Sequence, residues 1–210
     1  MRHGQGNFTW ANGDVYEGDW REDVCDGRGV LITANGDKYE GDFKMGVKDG
    51  QGKKVWTNGD IYDGAWRGGQ QDGFGTFSMG EGPNRGCRYV GQWRLGRREG
   101  EGTFTWPDGS KYVGTWSSNL KDGSGVLTLA NGDTYEGQFK QDKKHGRCVC
   151  VCVCVCVCVC VCVCVIYPLL YICIYIYYRG YIYIYPPLYI YIYVYIPYVY
   201  IYIICMYIYI

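Results

Sequence analysis

The sequence predicts an all-β protein: an elongated, single-layer antiparallel meander of repeated β-hairpins, followed by a low-complexity apolar tail. Three observations carry this expectation. Tyr-x-Gly-x-Trp or Tyr-x-Gly-x-Phe occurs six times, starting at Tyr16, Tyr39, Tyr62, Tyr89, Tyr112 and Tyr135, with a 23-residue period broken once. A Gly-x-Gly pair runs in phase with it, at Gly4/Gly6, Gly27/Gly29, Gly50/Gly52, Gly73/Gly75, Gly100/Gly102 and Gly123/Gly125. Between the two markers lies a turn triplet, Asn12-Gly13-Asp14 in the first unit, flanked by short aromatic and β-branched runs. A fixed period of this length marks an array in which one small unit stacks on its neighbours.

Each element follows from local chemistry. Asn-Gly-Asp at residues 12–14, 35–37, 58–60 and 131–133, with Asp108-Gly109-Ser110 in the fifth unit, is a hairpin turn signal. Pro107-Asp108-Gly109 suits a three-residue loop, with Pro at the first turn position and Gly in the left-handed one. That loop sets Trp106 opposite Ser110, Phe104 opposite Tyr112, Gly102 opposite Gly114 and Gly100 opposite Trp116, all on one face. A two-residue loop would slip the register and send half of the hydrophobic set to water. The glycines are expected to clear space beneath large Trp rings lying across the neighbouring strand. A single hairpin is marginal in water, so the units must pair edge to edge. The period breaks once, by a four-residue insertion at Glu81-Gly82-Pro83-Asn84-Arg85-Gly86, which is expected at a hairpin tip, where extra length costs least.

Composition divides the chain into residues 1–147, the repeat array, and residues 148–210, the tail. All 21 acids and 20 of the 21 bases lie in the first part, and Arg179 is the one charge beyond it. Eleven of the 13 cysteines belong to the tail, leaving Cys25 and Cys87, too few for a disulfide framework. The expected setting is therefore a reducing, cytoplasmic one. No charged n-region with an apolar h-region opens the chain. Balanced charge removes the usual source of nucleic-acid affinity, so no nucleic-acid partner is expected.

The tail alternates Cys-Val from Cys148 to Val165 and then Ile-Tyr with scattered Pro. Dinucleotide repeats of TG and TA, read in frame, encode these alternations, so one reading is translated microsatellite DNA. The other is a membrane-spanning segment, because residues 148–178 and 180–210 are uncharged and long enough to cross a bilayer. Nine alternating cysteines place sulfurs on one strand face with no turn to gather four of them, which disfavours a metal site.

No catalytic, metal or cofactor site is expected. His3 and His145 occupy the position before the first Gly of the pair, where Asp26, Asp49, Asp72, Glu99 and Asp122 stand elsewhere. A position that accepts either type reads as a solvated loop. The Asn-Gly-Asp triplets lack the spaced acids and terminal Glu of a calcium loop, and no phosphate-binding glycine motif is present. What remains is surface. The candidate interaction face is the aromatic one, with Trp10, Tyr16, Trp20, Trp56, Tyr62, Trp66, Tyr89, Trp93, Trp106, Tyr112 and Trp116. The competing account spends those rings on packing between repeats.

The spacing Tyr-x-Gly-x-Trp, turn, Gly-x-Gly resembles the MORN (membrane occupation and recognition nexus) repeat over residues 1 to about 147, with Phe43 and Phe139 in place of Trp. The resemblance implies a non-catalytic scaffold that tethers cytoskeletal, ciliary or membrane-associated assemblies. It also implies two alternatives. One is the regulatory region of a larger enzyme, such as a phosphatidylinositol-phosphate kinase or a lysine methyltransferase, with the catalytic domain outside this sequence. The other is a phospholipid-binding module. The implied partners are proteins, a phospholipid membrane surface, or a second copy in a homo-oligomer. Both ends of the array look cut, as in a fragment of a longer one.

Overall fold

The computed structural model describes residues 1–153, 159–167, 170–177, 189–195 and 203–207. The chain divides into two compact units: Met1–Pro107 with Trp116–Asn119, and Asp108–Thr115 with Leu120–Ile210. The first contains β1 (Gly4–Thr9), β2 (Val15–Arg21), β3 (Val24–Ile32), β4 (Lys38–Lys44), β5 (Val47–Val55), β6 (Ile61–Arg67), β7 (Gln70–Ser78), β8 (Arg88–Arg94) and β9 (Arg97–Thr105). Each strand pairs antiparallel with the next. β10 (Lys111–Ser117) contributes residues to both units. The second unit continues with β11 (Leu120–Thr128), β12 (Thr134–Lys140) and β13 (Lys143–Val153), again antiparallel neighbours. Short strands at Val159–Tyr167, Leu170–Tyr177, Tyr189–Tyr195 and Ile203–Tyr207 follow. The two spanning segments read from the tail lie partly outside the described residues.

The predicted three-residue loop is present. Trp10 N–H donates to Asp14 O at 2.8 Å and Gly13 N–H to Trp10 O at 2.9 Å, with Gly13 at φ 93°. Gly13 takes the left-handed position that closes this loop type. The same pair of bonds closes the loops between residues 33 and 37, 56 and 60, and 129 and 133. Register follows as expected: Phe8 opposes Tyr16, Leu31 opposes Tyr39, Phe77 opposes Tyr89 and Leu127 opposes Tyr135. The insertion sits at the tip of the β7–β8 hairpin, closed by Met79 N–H to Cys87 O at 2.9 Å.

The second turn of each repeat had no Asn-Gly signal. It joins Trp or Phe to the next Gly pair with two residues at positive φ, such as Glu22 (50°) and Asp23 (68°), or Met45 (48°) and Gly46 (82°). Two successive positive φ values mark the type I′ turn, which matches strand twist. After the turn comes a bulge. Gly18 pairs with Gly29 and Trp20 with Cys25, so Asp19 faces the extra residues between them. Gly27 in that bulge adopts φ 116°, and a methyl group on it would lie 2.7 Å from Asp19 Cβ.

A row of glycines crosses the first unit. Gly6, Gly18, Gly29, Gly41, Gly52, Gly64, Gly75, Gly91 and Gly102 are each register-paired to the next. From Gly29 onward the ring packed directly on the second Gly of a pair is Tyr, a correction to the Trp expected there, whereas at Gly6 it is Trp20. A methyl group on Gly29 would lie 2.5 Å from Tyr16 Cε2, and one on Gly52 2.5 Å from Tyr39 Cζ. Backbones also close in on each other, since a methyl group on Gly91 would lie 2.5 Å from Gly102 Cα. The Trp lies across its hairpin partner instead and donates its indole N–H to a glycine carbonyl, Trp20 to Gly6 at 3.0 Å and Trp66 to Gly52 at 2.9 Å.

Gly29→Ala and Gly52→Ala should each lower stability in urea denaturation by about 1–3 kcal/mol, the range for forcing extra atoms into a packed site. A change within 0.5 kcal/mol would mean that the ring gives way freely.

Candidate interaction faces

The core of the first unit is one continuous chain of edge-to-face rings. It runs Trp20–Tyr16–Phe43–Tyr39–Trp66–Tyr62–Trp93–Tyr89–Trp116, with centroid separations of 5.1 to 5.3 Å and near-perpendicular planes. The second unit repeats the pattern as Tyr112–Phe139–Tyr135, at 5.0 and 5.1 Å. Edge-to-face pairs at these distances contribute roughly 0.5–1.5 kcal/mol each beyond area burial. Every Tyr hydroxyl of the motif donates to the carbonyl three residues on, Tyr16 to Asp19 at 3.0 Å and Tyr62 to Ala65 at 2.9 Å among them. That bond satisfies the one polar atom that burial would otherwise orphan. Burial first, with nearby carboxylates adding to it, pushes the Tyr16, Tyr39 and Tyr62 hydroxyls well above the usual phenol range; burial does the same at Tyr89, against the pull of Arg98.

This geometry sorts the predicted face. Tyr16, Trp20, Tyr62, Trp66, Tyr89, Trp93, Tyr112 and Trp116 are buried. Trp10, Trp56 and Trp106 are half-buried and form the open part of that face.

A row of cations that sequence reasoning missed lies over the rings. Arg2 Cζ sits 4.1 Å from the Phe8 centroid and 4.3 Å from that of Trp20. Lys48 Nζ lies 4.9 Å from Tyr39 and 5.3 Å from Trp66, and Arg98 Cζ lies 4.4 Å from Trp116. In the second unit Lys121 lies 5.7 Å from Tyr112 and Lys144 4.5 Å from Tyr135. The signal was available: a base stands two residues before the first Gly of the pair at 2, 48, 98, 121 and 144, with Cys25 and Gln71 as departures. Burial, reinforced by the Lys54 charge and opposed by Asp37, pulls the Lys48 ammonium down to about 8.

The acid-or-His position is a seam between repeats rather than the solvated loop expected. Asp26 accepts from Met45 N–H at 3.2 Å, Asp49 from Gly68 N–H at 3.1 Å, Glu99 from Ser118 N–H at 2.8 Å, and His3 Nδ1 from Glu22 N–H at 3.3 Å. Asp, Glu and an imidazole nitrogen share the ability to accept at that spot, which is why they interchange. The Asn-Gly-Asp triplets do the same at the opposite edge: Asn12 Oδ1 accepts from Asp14 N–H at 3.1 Å, and Asp14 Oδ1 accepts from Ala34 N–H of the next loop at 2.8 Å. Asp37 accepts from Thr57 N–H and pairs with Lys54 Nζ at 3.2 Å. Burial works against its ionisation, but these two partners outweigh it and hold its carboxyl below the usual range.

The opposite face mixes charged and polar residues with exposed Phe74 and Val113. A groove of about 960 Å³ in the first unit has Gly6, Gly18, Gly29, Gly41 and Gly52 in its lining, with charged residues such as Glu17, Arg28, Glu40 and Lys53 alongside. Along the type I′ turn edge stand the exposed cations Arg21, Lys44, Arg67 and Arg94, one in each of the first four repeats, interleaved with exposed Val24, Met45, Val47 and Leu95. Among the described residues no group of three His, Cys, Asp or Glu is placed to hold a metal, and no helix is long and apolar enough to cross a membrane.

Two expectations follow. Trp116→Ala should cost about 3–5 kcal/mol, because Trp116 is 4 % exposed, and a loss below about 1 kcal/mol in denaturation would contradict its place in the ring chain. For pH, Lys48 binds its proton less readily folded than unfolded, so its contribution to stability rises with pH between about 8 and the ordinary Lys range. The tyrosines act oppositely: their stabilisation is full below the unfolded phenol range and is lost as pH climbs above about 10. Melting should therefore show a Lys48-dependent rise between pH 7.5 and 9.5 that Lys48→Met removes, then a fall at higher pH in both proteins.

Comparison with curated proteins returns no matching sequence. Comparison with known families matches the MORN repeat at residues 1–15, 16–38, 39–61, 62–82, 89–111, 112–134 and 135–153. Six of the seven matches begin on a motif Tyr, and the first covers the half-unit ahead of Tyr16. The last runs to residue 153, within β13, whose backbone stays paired to β12 through Thr134 opposite Val151. With the glycine row, the ring chain and seven phased matches together, this chain belongs to the MORN repeat family.

Proposed function

We propose that the chain is a non-catalytic scaffold that binds protein partners through the open part of its aromatic face, in a cytoplasmic setting at cytoskeletal or membrane-associated assemblies. The observation that carries this reading is the division of labour among the aromatics. Tyr and Trp/Phe of the motif are spent on joining repeats, whereas Trp10, Trp56 and Trp106 stay half-buried at the end of the strand before each loop. Part-exposed Trp is a common energetic centre of protein interfaces. Replacing Trp10, Trp56 and Trp106 together with Ser should leave the circular dichroism spectrum and melting cooperativity in place while removing most partners found by proximity labelling in cells. An unchanged partner set would sink the reading.

A second reading is supported by the turn edge. Arg21, Lys44, Arg67 and Arg94 recur every two strands, roughly 10 Å apart at ordinary strand spacing, among exposed Met45, Val47 and Leu95. Such a row suits an anionic bilayer, where each base near the surface contributes about 1 kcal/mol. Vesicles containing phosphatidylserine and phosphoinositide should pellet the protein, phosphatidylcholine alone should not, and the fourfold change of these bases to Glu should abolish pelleting. Equal pelleting by both vesicle types would remove this reading.

A further inference from the structure

The cation row has one place where the chain leaves its aromatic seat without a long side chain. Tyr112–Phe139 and Tyr16–Phe43 are the same kind of pair, with centroids 5.0 and 5.1 Å apart and nearly perpendicular planes. Lys121 Nζ lies over the first pair, 5.7 Å from Tyr112 and 6.0 Å from Phe139. At the equivalent position beside the second pair stands Cys25, whose side chain ends at Sγ.

A cavity of about 430 Å³ is lined there by Trp10, Tyr16, Trp20 and Phe43, with Cys25 at its wall. Gln71, the other departure, does not reproduce this: its side chain is long, and its Oε1 reaches the neighbourhood of Gly96 in the next turn. The charge of the lining also favours a cation. Asp14 and Asp23 stand against Arg2 alone. Arg2 does not take the seat, because its guanidinium is held by Asp23 at 3.2 Å and lies over Phe8 and Trp20.

We propose that this cavity binds a guanidinium or alkylammonium group, the arginine or lysine side chain of a partner protein, in the place that the chain's own Lys or Arg occupies in other repeats. Aromatic faces attract such groups electrostatically, and acids at the rim add to that attraction. The inference deepens the scaffold reading and rests on it only for where the cation comes from.

The test uses the full chain under reducing conditions with butylguanidinium as probe and butylurea as its neutral counterpart, read by tryptophan fluorescence. Butylguanidinium should give a saturable change in the millimolar range, at least tenfold tighter than butylurea. Cys25→Lys should weaken it at least tenfold by filling the seat, and Cys25→Ala should leave it intact. Should Cys25→Lys fail to fold, Cys25→Met fills the same space with a neutral chain and must show the same loss. Equal responses to the two probes, or an unchanged titration in the filled variant, overturn the proposal. Because the probe is a small molecule, its failure leaves the partner-labelling result standing, and loss of the partners leaves the probe result standing.

Discussion

Everything in this array depends on a tyrosine ring lying flat against backbone that has no side chain. The glycine row brings adjacent strands and rings together so closely that even a methyl group finds no room at Gly29 or Gly52. With that space cleared, each Tyr can meet one Trp or Phe of its own strand and another two strands away, both edge to face. A single-layer sheet thereby makes a dry interior from one face, without a second sheet or a helix to cover it.

Polar chemistry joins the repeats along both edges. Each type I′ turn gives one amide to the acid or His of the preceding repeat and a second to its backbone, as Met45 does to Asp26 and Gly46 to Cys25 O at 2.9 Å. At the other edge Asp14, Asp37 and Asp60 reach the following loop. A repeat removed from its neighbours would leave these amides without their acceptors, so stability resides in the interfaces as much as in the units. The positive φ at residues such as Glu22 and Ser118, unfavourable for side chains with a Cβ, is sustained by that docking.

Much of this was legible in the sequence because it depends on phase. Tyr, Gly-x-Gly and Asn-Gly-Asp recur at fixed offsets, and Pro107 selected the loop length that sets the register. What was misread involves a choice between neighbours. The sequence places Tyr16 and Trp20 on one face, but which of them covers Gly29 depends on the lean of each ring toward the following or the preceding strand. The acids at 26, 49 and 72 looked like solvent-exposed loop residues because their acceptors' partners lie 19 to 23 positions away. The cation row was periodic and readable, yet bases in a charged array resemble ordinary surface until the rings beneath them are located. For the candidate face, the sequence supplied eleven aromatics but passed over Tyr39, Phe43, Tyr135 and Phe139 of the ring chain, and it could not separate the ones that pack from Trp10, Trp56 and Trp106, because burial is set by where along the strand each stands.

The β7–β8 loop shows how the array tolerates a change of length. Residues 80–86 extend the hairpin tip, and the loop still docks on the preceding one, with Gly80 N–H on Asp60 at 2.7 Å and Glu81 N–H on Asn58 O at 2.8 Å. The ring chain passes beneath it undisturbed, Tyr62 to Trp93 at 5.3 Å. The array therefore keeps time at mid-strand and leaves its tips free to vary, so a foreign segment carried on residues 82–85 would be displayed outward while the docking at Gly80 and Glu81 stays in place.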